Sequence, residues 1–287
     1  ALSMGMGFGC NAAGIIATRI IDSPRERLIA IITNVFMPCN GRWPLMIIVA
    51  TVFIAAAFPP SVGSVVAATT LVGVVLFGIL ITLLVSSFLS KTYLKGESSA
   101  FVLELPPYRK PQILRVLYTS FIDRTIFVLW RAIIMAAPCG GIAWILGNTY
   151  LGETSVMTSV ATFLDPVGRA IGLDGVILLA YIIAIPANEV VIPTMLMAYL
   201  HMDKMVDIEN QVHLKNFLVH EQGWTLLTAV SILLFALLHN PCSTTLLTIY
   251  KETGSKKWTL ISALLPLAIA FAVCFIVAQT ARLMGWV

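Results

Sequence analysis

Three of the five cysteines in this chain directly follow a proline, in the motifs MPCNGR, APCGG and NPCSTT around Cys39, Cys139 and Cys242. A proline in a membrane helix leaves the carbonyl four residues earlier without its backbone donor and bends the helix. Each motif therefore offers a thiol beside unpaired carbonyl oxygens. Thiolates select transition metals, and carbonyls can replace part of a hydration shell, so this combination suits a borderline-soft divalent cation. The polar neighbours of Cys39 and Cys242 favour this role over simple packing, whereas Cys139 has no such neighbours.

A second type of motif surrounds Cys10 and Asn11, where the stretch MGMGFGCNAAG contains four glycines. Glycine at this density weakens a helix and allows it to unwind or to approach another backbone closely. The stretch is not a phosphate-binding loop, because no strand precedes it and the chain contains no GxxxxGK[ST] motif. It predicts either a broken helix that presents Cys10 and Asn11 or a close-packed helix crossing.

The third motif, IPANEVVIP, contains Glu189 between two prolines in an otherwise uncharged stretch. A carboxylate at membrane depth costs about 2.5–3.5 kcal/mol, so it should face a partner or a wet cavity. Glu189, the Asn188 amide and a carbonyl freed by the second proline would form a cation site at a helix break, as in discontinuous transporter helices. The alternative is a structural ion pair with Arg124 or Arg131.

The composition indicates that these motifs lie in a membrane. Apolar residues make up 59% of the 287 residues and charged residues 11%, against about 45–50% and 25% in soluble domains. The net charge of +4 is too small and dispersed to indicate nucleic-acid binding. Long uncharged runs predict an all-α polytopic transmembrane bundle of six to eight segments, some short or broken, with Pro59-Pro60 separating two of them. No Ser-His-Asp or paired-carboxylate set is present, which argues against a hydrolase or transferase.

The distribution of Lys and Arg predicts how the segments are oriented. The stretch 90–124 carries six basic residues and is predicted to be cytoplasmic, whereas 147–164 carries none and is predicted to be external. A full crossing near 173–200 would return the chain to the cytoplasm. Because Lys251, Lys256 and Lys257 should also be cytoplasmic, we expect 222–250 to dip into the membrane and return at Asn240-Pro241.

The order of the motifs repeats along the chain. A break motif (GFGCN, then IPANE) precedes an amphipathic stretch, a Pro-Cys motif (MPCNGR, then NPCSTT) and another apolar span. Two half-sites that meet near the membrane midplane are typical of secondary transporters. The sequence therefore predicts a duplicated transport unit.

Taken together, the motifs resemble one family, the ferrous iron transport protein B family of bacterial inner-membrane iron importers. The matching stretches follow the family's order along nearly the whole chain: GFGCNAAGIIATR, DSPRERLIAI, NVFMPCNGR, FVLELPPYRKP, PANEVVIP and NPCSTTLLTIYKETGSKKWT. The resemblance implies a multi-pass membrane domain that moves Fe²⁺ into the cytoplasm and is not itself an enzyme. It also implies that the family's GTPase domain, which would bind GTP and Mg²⁺, is absent from this chain and gates its path.

The resemblance further implies two gate-type repeats with discontinuous helices. The expected boundaries are a first repeat, truncated at its start, with a following hairpin at 1–89, a cytoplasmic or interfacial connector at 90–124, a second repeat at 125–240 and a C-terminal membrane segment at 241–287. The residues that match the family's iron path are Cys10, Asn11, Cys39, Asn188, Glu189 and Cys242. Expected partners are the lipid bilayer, Fe²⁺, the GTPase domain in cis or in trans, small cytoplasmic accessory proteins and a second copy of the chain, but no nucleic acid.

Two alternatives stay open. Gate-type repeats are shared with nucleoside transporters, and such an organic-solute carrier would use the Asn and Glu side chains while its cysteines were dispensable. A membrane scaffold that binds partners through 90–124 and 203–221 would leave Glu189 and the helix breaks without a role.

Overall fold

The computed structural model describes residues 2–55, 58–94, 112–119, 122, 126–151, 154–199, 218–219 and 222–285. Most of them lie in helices, which confirms the predicted all-α bundle. The helices are α1 (Leu2–Gly7), α2 (Asn11–Ala17), α3 (Pro24–Thr33), α4 (Trp43–Val49), α5 (Pro60–Thr92), α6 (Ile113–Thr119), α7 (Phe127–Asn148), α8 (Val156–Ala170), α9 (Gly175–Ile183), α10 (Val191–Tyr199), α11 (Leu226–Leu238), α12 (Ser243–Thr253) and α13 (Lys256–Leu283). Strands β1 (Tyr150–Leu151) and β2 (Thr154–Ser155) form a short antiparallel ribbon between α7 and α8. Most of the predicted connector 90–124 and of 203–221 lies outside the described residues.

The longest helices have the length and composition of membrane spans. Helix α5 contains 33 residues, which at 1.5 Å per residue is about 50 Å and exceeds the hydrocarbon thickness of about 30 Å. It begins at Pro60, so the predicted break at Pro59-Pro60 is confirmed. Among the described residues, three stretches are long and apolar enough to cross a membrane: α5, α11 together with α12, and α13. Helices α8 and α9, bent by 109°, would make a fourth span if counted as one.

Helices α1 and α2 form a hairpin whose tip carries Cys10. The Ser3 hydroxyl donates to the Gly14 carbonyl at 2.9 Å, so the two helices run antiparallel. The backbone turns where the Cys10 N–H donates to the Met6 carbonyl at 3.1 Å. A Cβ atom at Gly14 would lie 2.5 Å from the amide nitrogen of Asn34, so this close approach requires glycine. The glycine-rich motif therefore both breaks the helix and allows close packing.

Helices α3 and α4 are separated by the first Pro-Cys loop. Helix α3 begins at Pro24, behind the capping hydroxyl of Ser23. A 3₁₀ turn at Asn34–Phe36 follows it, and the chain then leaves helical geometry before α4 begins. The interruption contains Pro38 and Cys39, as the motif predicts. We call the interrupted pair α3–α4 the first broken span; its apolar part is Trp43–Ile54, because α3 begins with charged residues.

Helices α9 and α10 form a second hairpin. Asp174 caps α9 by accepting a backbone N–H at 2.7 Å, and the Tyr199 hydroxyl at the end of α10 donates to the same carboxylate. The two ends of the hairpin are therefore neighbours, and its tip lies at the interruption between Ile183 and Glu189. The predicted full crossing near 173–200 is wrong, because α9 ends at Ile183 and, after Pro186, α10 returns alongside α9.

Helices α11 and α12 form a second broken span around Cys242. Thr225 caps α11, and helical geometry is interrupted from His239 to Cys242. The two helices continue as one span, Leu226–Thr253, so the predicted return at Asn240-Pro241 is wrong. A side chain from the first Pro-Cys loop bonds the carbonyls at this interruption.

Four elements meet at one end of the molecule, which we call the basic end and define by Arg19, Arg25, Ser90 and Glu252. Arg19 follows α2 and pairs with Glu252 of α12 at 2.6 Å. Arg25 at the start of α3 donates to the Ser90 hydroxyl near the end of α5 at 2.8 Å. The α1–α2 hairpin therefore opens toward the basic end.

The opposite end, which we call the far end, is defined by Asp174, Tyr199, Trp224 and Ala170. The Trp224 indole donates to the Tyr199 hydroxyl at 3.0 Å, next to the Tyr199 bond with Asp174. Near the end of α13, Gln279 donates to the Ala170 carbonyl at 3.2 Å. The α9–α10 hairpin therefore opens toward the far end, and the tips of the two hairpins point at each other.

The main hydrophobic core lies between the two broken spans and the second hairpin. Phe36, Tyr181 and Phe235 are buried there, and the rings of Tyr181 and Phe235 pack edge to face with centroids 4.9 Å apart. This packing holds the second hairpin against α11.

Candidate functional site

The two hairpin tips and the two Pro-Cys loops meet inside the protein. The Asn40 N–H donates to the Gly9 carbonyl at 3.0 Å, which joins the first Pro-Cys loop to the tip of the first hairpin. The Ser243 N–H donates to the Ile185 carbonyl at 3.0 Å, which joins the start of α12 to the tip of the second hairpin. We call this meeting point of four helix interruptions the junction.

Two contacts connect the first Pro-Cys loop to the second hairpin. The amide nitrogen of Asn188 lies 4.0 Å from the sulfur of Cys39. A Cβ atom at Gly41 would lie 2.6 Å from a carboxylate oxygen of Glu189, so the carboxylate rests directly on the Gly41 backbone. The structure therefore brings together three residues that the sequence predicted, although 149 positions separate Cys39 from Asn188.

The three thiols of the predicted site lie at different depths. Cys10 is exposed, Cys39 is buried and Cys242 is partly buried. The Cys242 sulfur lies 3.2 Å from the Thr245 hydroxyl in the first turn of α12.

The carboxylate of Glu189 is exposed rather than enclosed in the packed core. No ion pair joins it to a Lys or Arg side chain in the part of the chain that the structure describes. Arg124 and the side chain of Arg131 lie outside that part, so the alternative pairing stays a prediction. An exposed carboxylate at a helix interruption is available to a cation.

Asn11 holds the tip of the first hairpin rather than facing open space. It is buried, and with its amide nitrogen as the donor it bonds the carbonyls of Met37 at 3.1 Å and Gly7 at 3.2 Å. The Asn34 amide in turn donates to the Asn11 carbonyl at 3.1 Å. Sequence reasoning missed the Asn34 side chain; its only signal was an amide in the apolar stretch before the first Pro-Cys motif.

Two other polar candidates have structural surroundings. His239 is buried, its Nδ1 lies 3.0 Å from the carbonyls of Phe235 and Ala236, and its ring stacks on Phe235. It is a hydrogen-bonded core residue. Cys139 lies in α7, which continues as a helix past Pro138, so the third Pro-Cys motif does not interrupt its helix.

The donors of the junction are separate rather than gathered. Within the described ranges, no three His, Cys, Asp or Glu side chains form a group that could hold a metal ion together. Cys39 lies beside Asn188, Glu189 beside Gly41, and Cys242 at the start of α12. The arrangement can present one or two soft or anionic donors to a cation at each of several positions.

Comparison with known proteins identifies relatives of this chain. The Fe(2+) transporter FeoB of Staphylococcus aureus is 30% identical over 296 residues, which cover 98% of this chain and 40% of that protein. The family model described as "Ferrous iron transport protein B C terminus" matches residues 71–123. The chain belongs to the ferrous iron transport protein B family.

Other members of the family are similarly distant. The Fe(2+) transporter FeoB of Synechocystis is 28% identical, over 98% of this chain and 43% of that protein. A Fe(2+) transport protein A/Fe(2+) transporter FeoB fusion protein of Porphyromonas gingivalis is 27% identical, over 95% of this chain and 36% of that protein. The chain thus spans less than half the length of these relatives. No solved structure matches it.

Proposed function

We propose that this chain is the membrane part of a ferrous iron importer and that Fe²⁺ passes through the junction. The observation that carries the proposal is the meeting of four helix interruptions. There Asn188 contacts Cys39, and Glu189 contacts the backbone of the same Pro-Cys loop. Cys10 and Cys242 lie at two of these interruptions, directly before α2 and α12. Thiol donors favour a transition metal over the hard cations Mg²⁺ and Ca²⁺. The relatives are named as Fe(2+) transporters, which supports Fe²⁺ as the transported ion.

The separation of the donors agrees with passage rather than storage. A transported ion has to bind well enough to enter and weakly enough to leave, and several weak sites in succession achieve this. Cys39, Glu189 and Cys242 would act as ligands in turn. Asn188 would orient the Cys39 thiol, and Asn11 would keep Cys10 at its place by holding the hairpin tip.

The same order of elements supports a division into two inverted units. The first unit would contain the α1–α2 hairpin, the α3–α4 broken span and α5, and the second the α9–α10 hairpin, the α11–α12 broken span and α13. Their hairpins open toward opposite ends, as expected for inverted repeats that form a central site. In this division the second unit extends to α13, beyond the boundary at 240 expected from the resemblance.

The charge distribution supports an orientation. The basic end contains Arg19 and Arg25, and Lys251 directly precedes Glu252 there, so this end would face the cytoplasm of a bacterial inner membrane. Fe²⁺ would then enter from the far end. An inside-negative potential of 100 mV favours inward movement by about 2.3 kcal/mol per charge, or about 4.6 kcal/mol for a divalent ion. Transport therefore needs no direct energy from nucleotide hydrolysis.

Regulation would come through the basic end. A GTPase domain, in cis or in trans, would bind GTP and Mg²⁺ and gate the path through the basic connector 90–124. The fusion protein of Porphyromonas gingivalis is named for both transport protein A and FeoB. Its name supports an accessory protein that works beside this membrane part.

Iron influx into anaerobic proteoliposomes under an inside-negative potential tests the proposal. The variants Cys39→Ser, Cys242→Ser and Glu189→Gln should each reduce Fe²⁺ influx at equal protein insertion. Cys274→Ser is the matched control, because Cys274 is a buried cysteine of α13 whose thiol donates to the Ser231 carbonyl, away from the junction. Unchanged Fe²⁺ influx in all three site variants would refute the path through the junction. If the chain instead transports an organic solute, and the two cysteine variants transport it equally well, the carrier alternative is favoured. If no chain conducts, Fe²⁺ binding to the same variants replaces influx as the deciding measurement.

A further inference from the structure

The second Pro-Cys loop leaves backbone carbonyls that its own helix cannot satisfy. Pro241 has no N–H, so the Leu237 carbonyl, four residues earlier, has lost its normal helical donor. The carbonyls of His239 and Asn240 lie in the interruption itself. The Phe235 carbonyl accepts the His239 N–H at 2.9 Å, which shows how tightly the end of α11 is otherwise bonded. Buried carbonyls without donors are costly in a membrane.

One side chain from the other unit supplies the missing donors. Arg42 Nη1 donates to the Leu237 carbonyl at 2.7 Å, and Nη2 donates to the carbonyls of His239 at 3.0 Å and Asn240 at 3.3 Å. Arg42 is only 2% exposed. A guanidinium at the C-terminal end of α11 also meets the negative end of the helix dipole, which favours a cation there.

The same residue closes its own loop. The Arg42 backbone N–H donates to the Cys39 carbonyl at 2.9 Å, and Nη1 also donates to the Val35 carbonyl at 3.2 Å. Arg42 is therefore bonded to the backbone of Cys39 on one side and to Asn240, two residues before Cys242, on the other. Its planar fork reaches both sets of carbonyls at once, which a lysine ammonium cannot do.

We infer that Arg42 is a positioning residue that clamps the two Pro-Cys loops together and so sets the position of Cys39 relative to Cys242. The guanidinium acts as the backbone donor that Pro241 lacks. The clamp is a property of the fold, and only its effect on metal binding rests on the proposed function. Among the described residues no carboxylate pairs with Arg42, and its charge is stabilised by the dipoles of the carbonyls that it bonds.

Hydrogen exchange of the second loop tests the clamp without any metal. In Arg42→Met, the amides of 237–245, including the bonded N–H groups of His239 and Ser243, should exchange at least about tenfold faster, while those of α13 should not change. Arg42→Lys should give an intermediate rate, because it keeps the charge but loses the fork. Arg169→Met is the control for loss of an arginine, since Arg169 lies on α8 with an exposed side chain.

The proline provides a test that a general folding defect would not imitate. In a Pro241→Ala background the alanine introduced at this position brings an N–H that can bond the Leu237 carbonyl, so Arg42→Met should accelerate exchange much less there than in the unmodified chain. Equal acceleration in both backgrounds would overturn the claim that Arg42 replaces the missing donor. If Arg42→Met cannot be recovered folded, Arg42→Lys in the two backgrounds answers the same question.

Binding of Co²⁺, followed by its thiolate charge-transfer absorption, separates the clamp from the proposed function. Loss of this absorption in Arg42→Met, with partial recovery in Arg42→Lys, would support both the clamp and its role in positioning the thiols for metal binding. No absorption in the unmodified chain, with exchange still faster in Arg42→Met, would support the clamp while contradicting the metal path. Unchanged exchange in both Arg42 variants would overturn the clamp whatever Co²⁺ does.

Discussion

Replacing Gly41 by alanine moves the Glu189 carboxylate without touching its charge. The new Cβ atom would lie 2.6 Å from one carboxylate oxygen, where ordinary contact begins at 3.4 Å, so the oxygen has to move by about 0.8 Å. The Glu189 side chain is exposed, so it can move without displacing a residue of the packed core. We therefore expect Gly41→Ala to fold normally, with Tm within about 3 °C of the unmodified chain.

The displacement should nevertheless slow iron transport. At an effective dielectric constant of about 20, a carboxylate and a divalent cation about 4 Å apart attract by about 8 kcal/mol, and an added 0.8 Å weakens this by about 1.4 kcal/mol. That difference corresponds to about a tenfold change in affinity or rate. Fe²⁺ influx should thus fall about tenfold in Gly41→Ala, measured in proteoliposomes at equal protein insertion.

Two comparisons make this expectation specific. Gly140→Ala is the matched control, because Gly140 also follows a Pro-Cys motif but a Cβ atom there meets nothing within 4 Å. In a Glu189→Gln background, Gly41→Ala should add little, since the charge that it displaces is already gone. Influx equal to that of the unmodified chain in Gly41→Ala would refute the reasoning that the position of this carboxylate controls passage.

Two further predictions concern the ends of the molecule. Reversing either charge of the Arg19–Glu252 pair should lower Tm, and the double reversal Arg19→Glu with Glu252→Arg should restore part of that loss. The recovery should be larger at low salt, because Arg19 is exposed and salt screens its charge. Equal Tm values for the unmodified chain, both single variants and the double variant would contradict this coupling. At the far end, Tyr199→Phe removes the donor to Asp174 and should cost about 1–3 kcal/mol, seen as a Tm several degrees lower. Tyr181→Phe is its control, because the buried Tyr181 hydroxyl has no hydrogen-bond partner among the described residues, and a larger loss there than in Tyr199→Phe would be against the prediction.

Much of the candidate site could be predicted because its signals are local. Proline removes a backbone donor wherever it occurs, so the sequence marks Cys39, Glu189 and Cys242 as candidate interruptions. Only the structure shows that Cys139, after Pro138, lies in a helix that continues. The contact of Cys39 with Asn188 agrees with the prediction that the two half-sites meet. The buried, structural role of Asn11 was not predicted, because its partners Met37 and Gly7 depend on how the first hairpin closes.

The direction of the chain after each interruption could not be predicted. The stretch 173–200 was expected to cross and instead turns back, whereas 222–250 was expected to turn back and instead continues. Both contain a proline in an apolar helix, so their local patterns are equivalent. What differs is the packing around each interruption, because α10 returns alongside α9, whereas α12 continues from α11 and packs against α2 and α13.

The sequence by itself determined the membrane setting, the all-α class, the places where a helix can break and the kinds of ligand offered there, because hydropathy, proline and glycine act over a few residues. Only the tertiary structure decided which interruptions meet and which way the chain leaves them. The carbonyl freed at Leu237 needs a donor, but any N–H can serve, and the one that does belongs to Arg42, 195 residues away. A local pattern specifies that requirement, whereas the packing of distant helices selects the group that meets it.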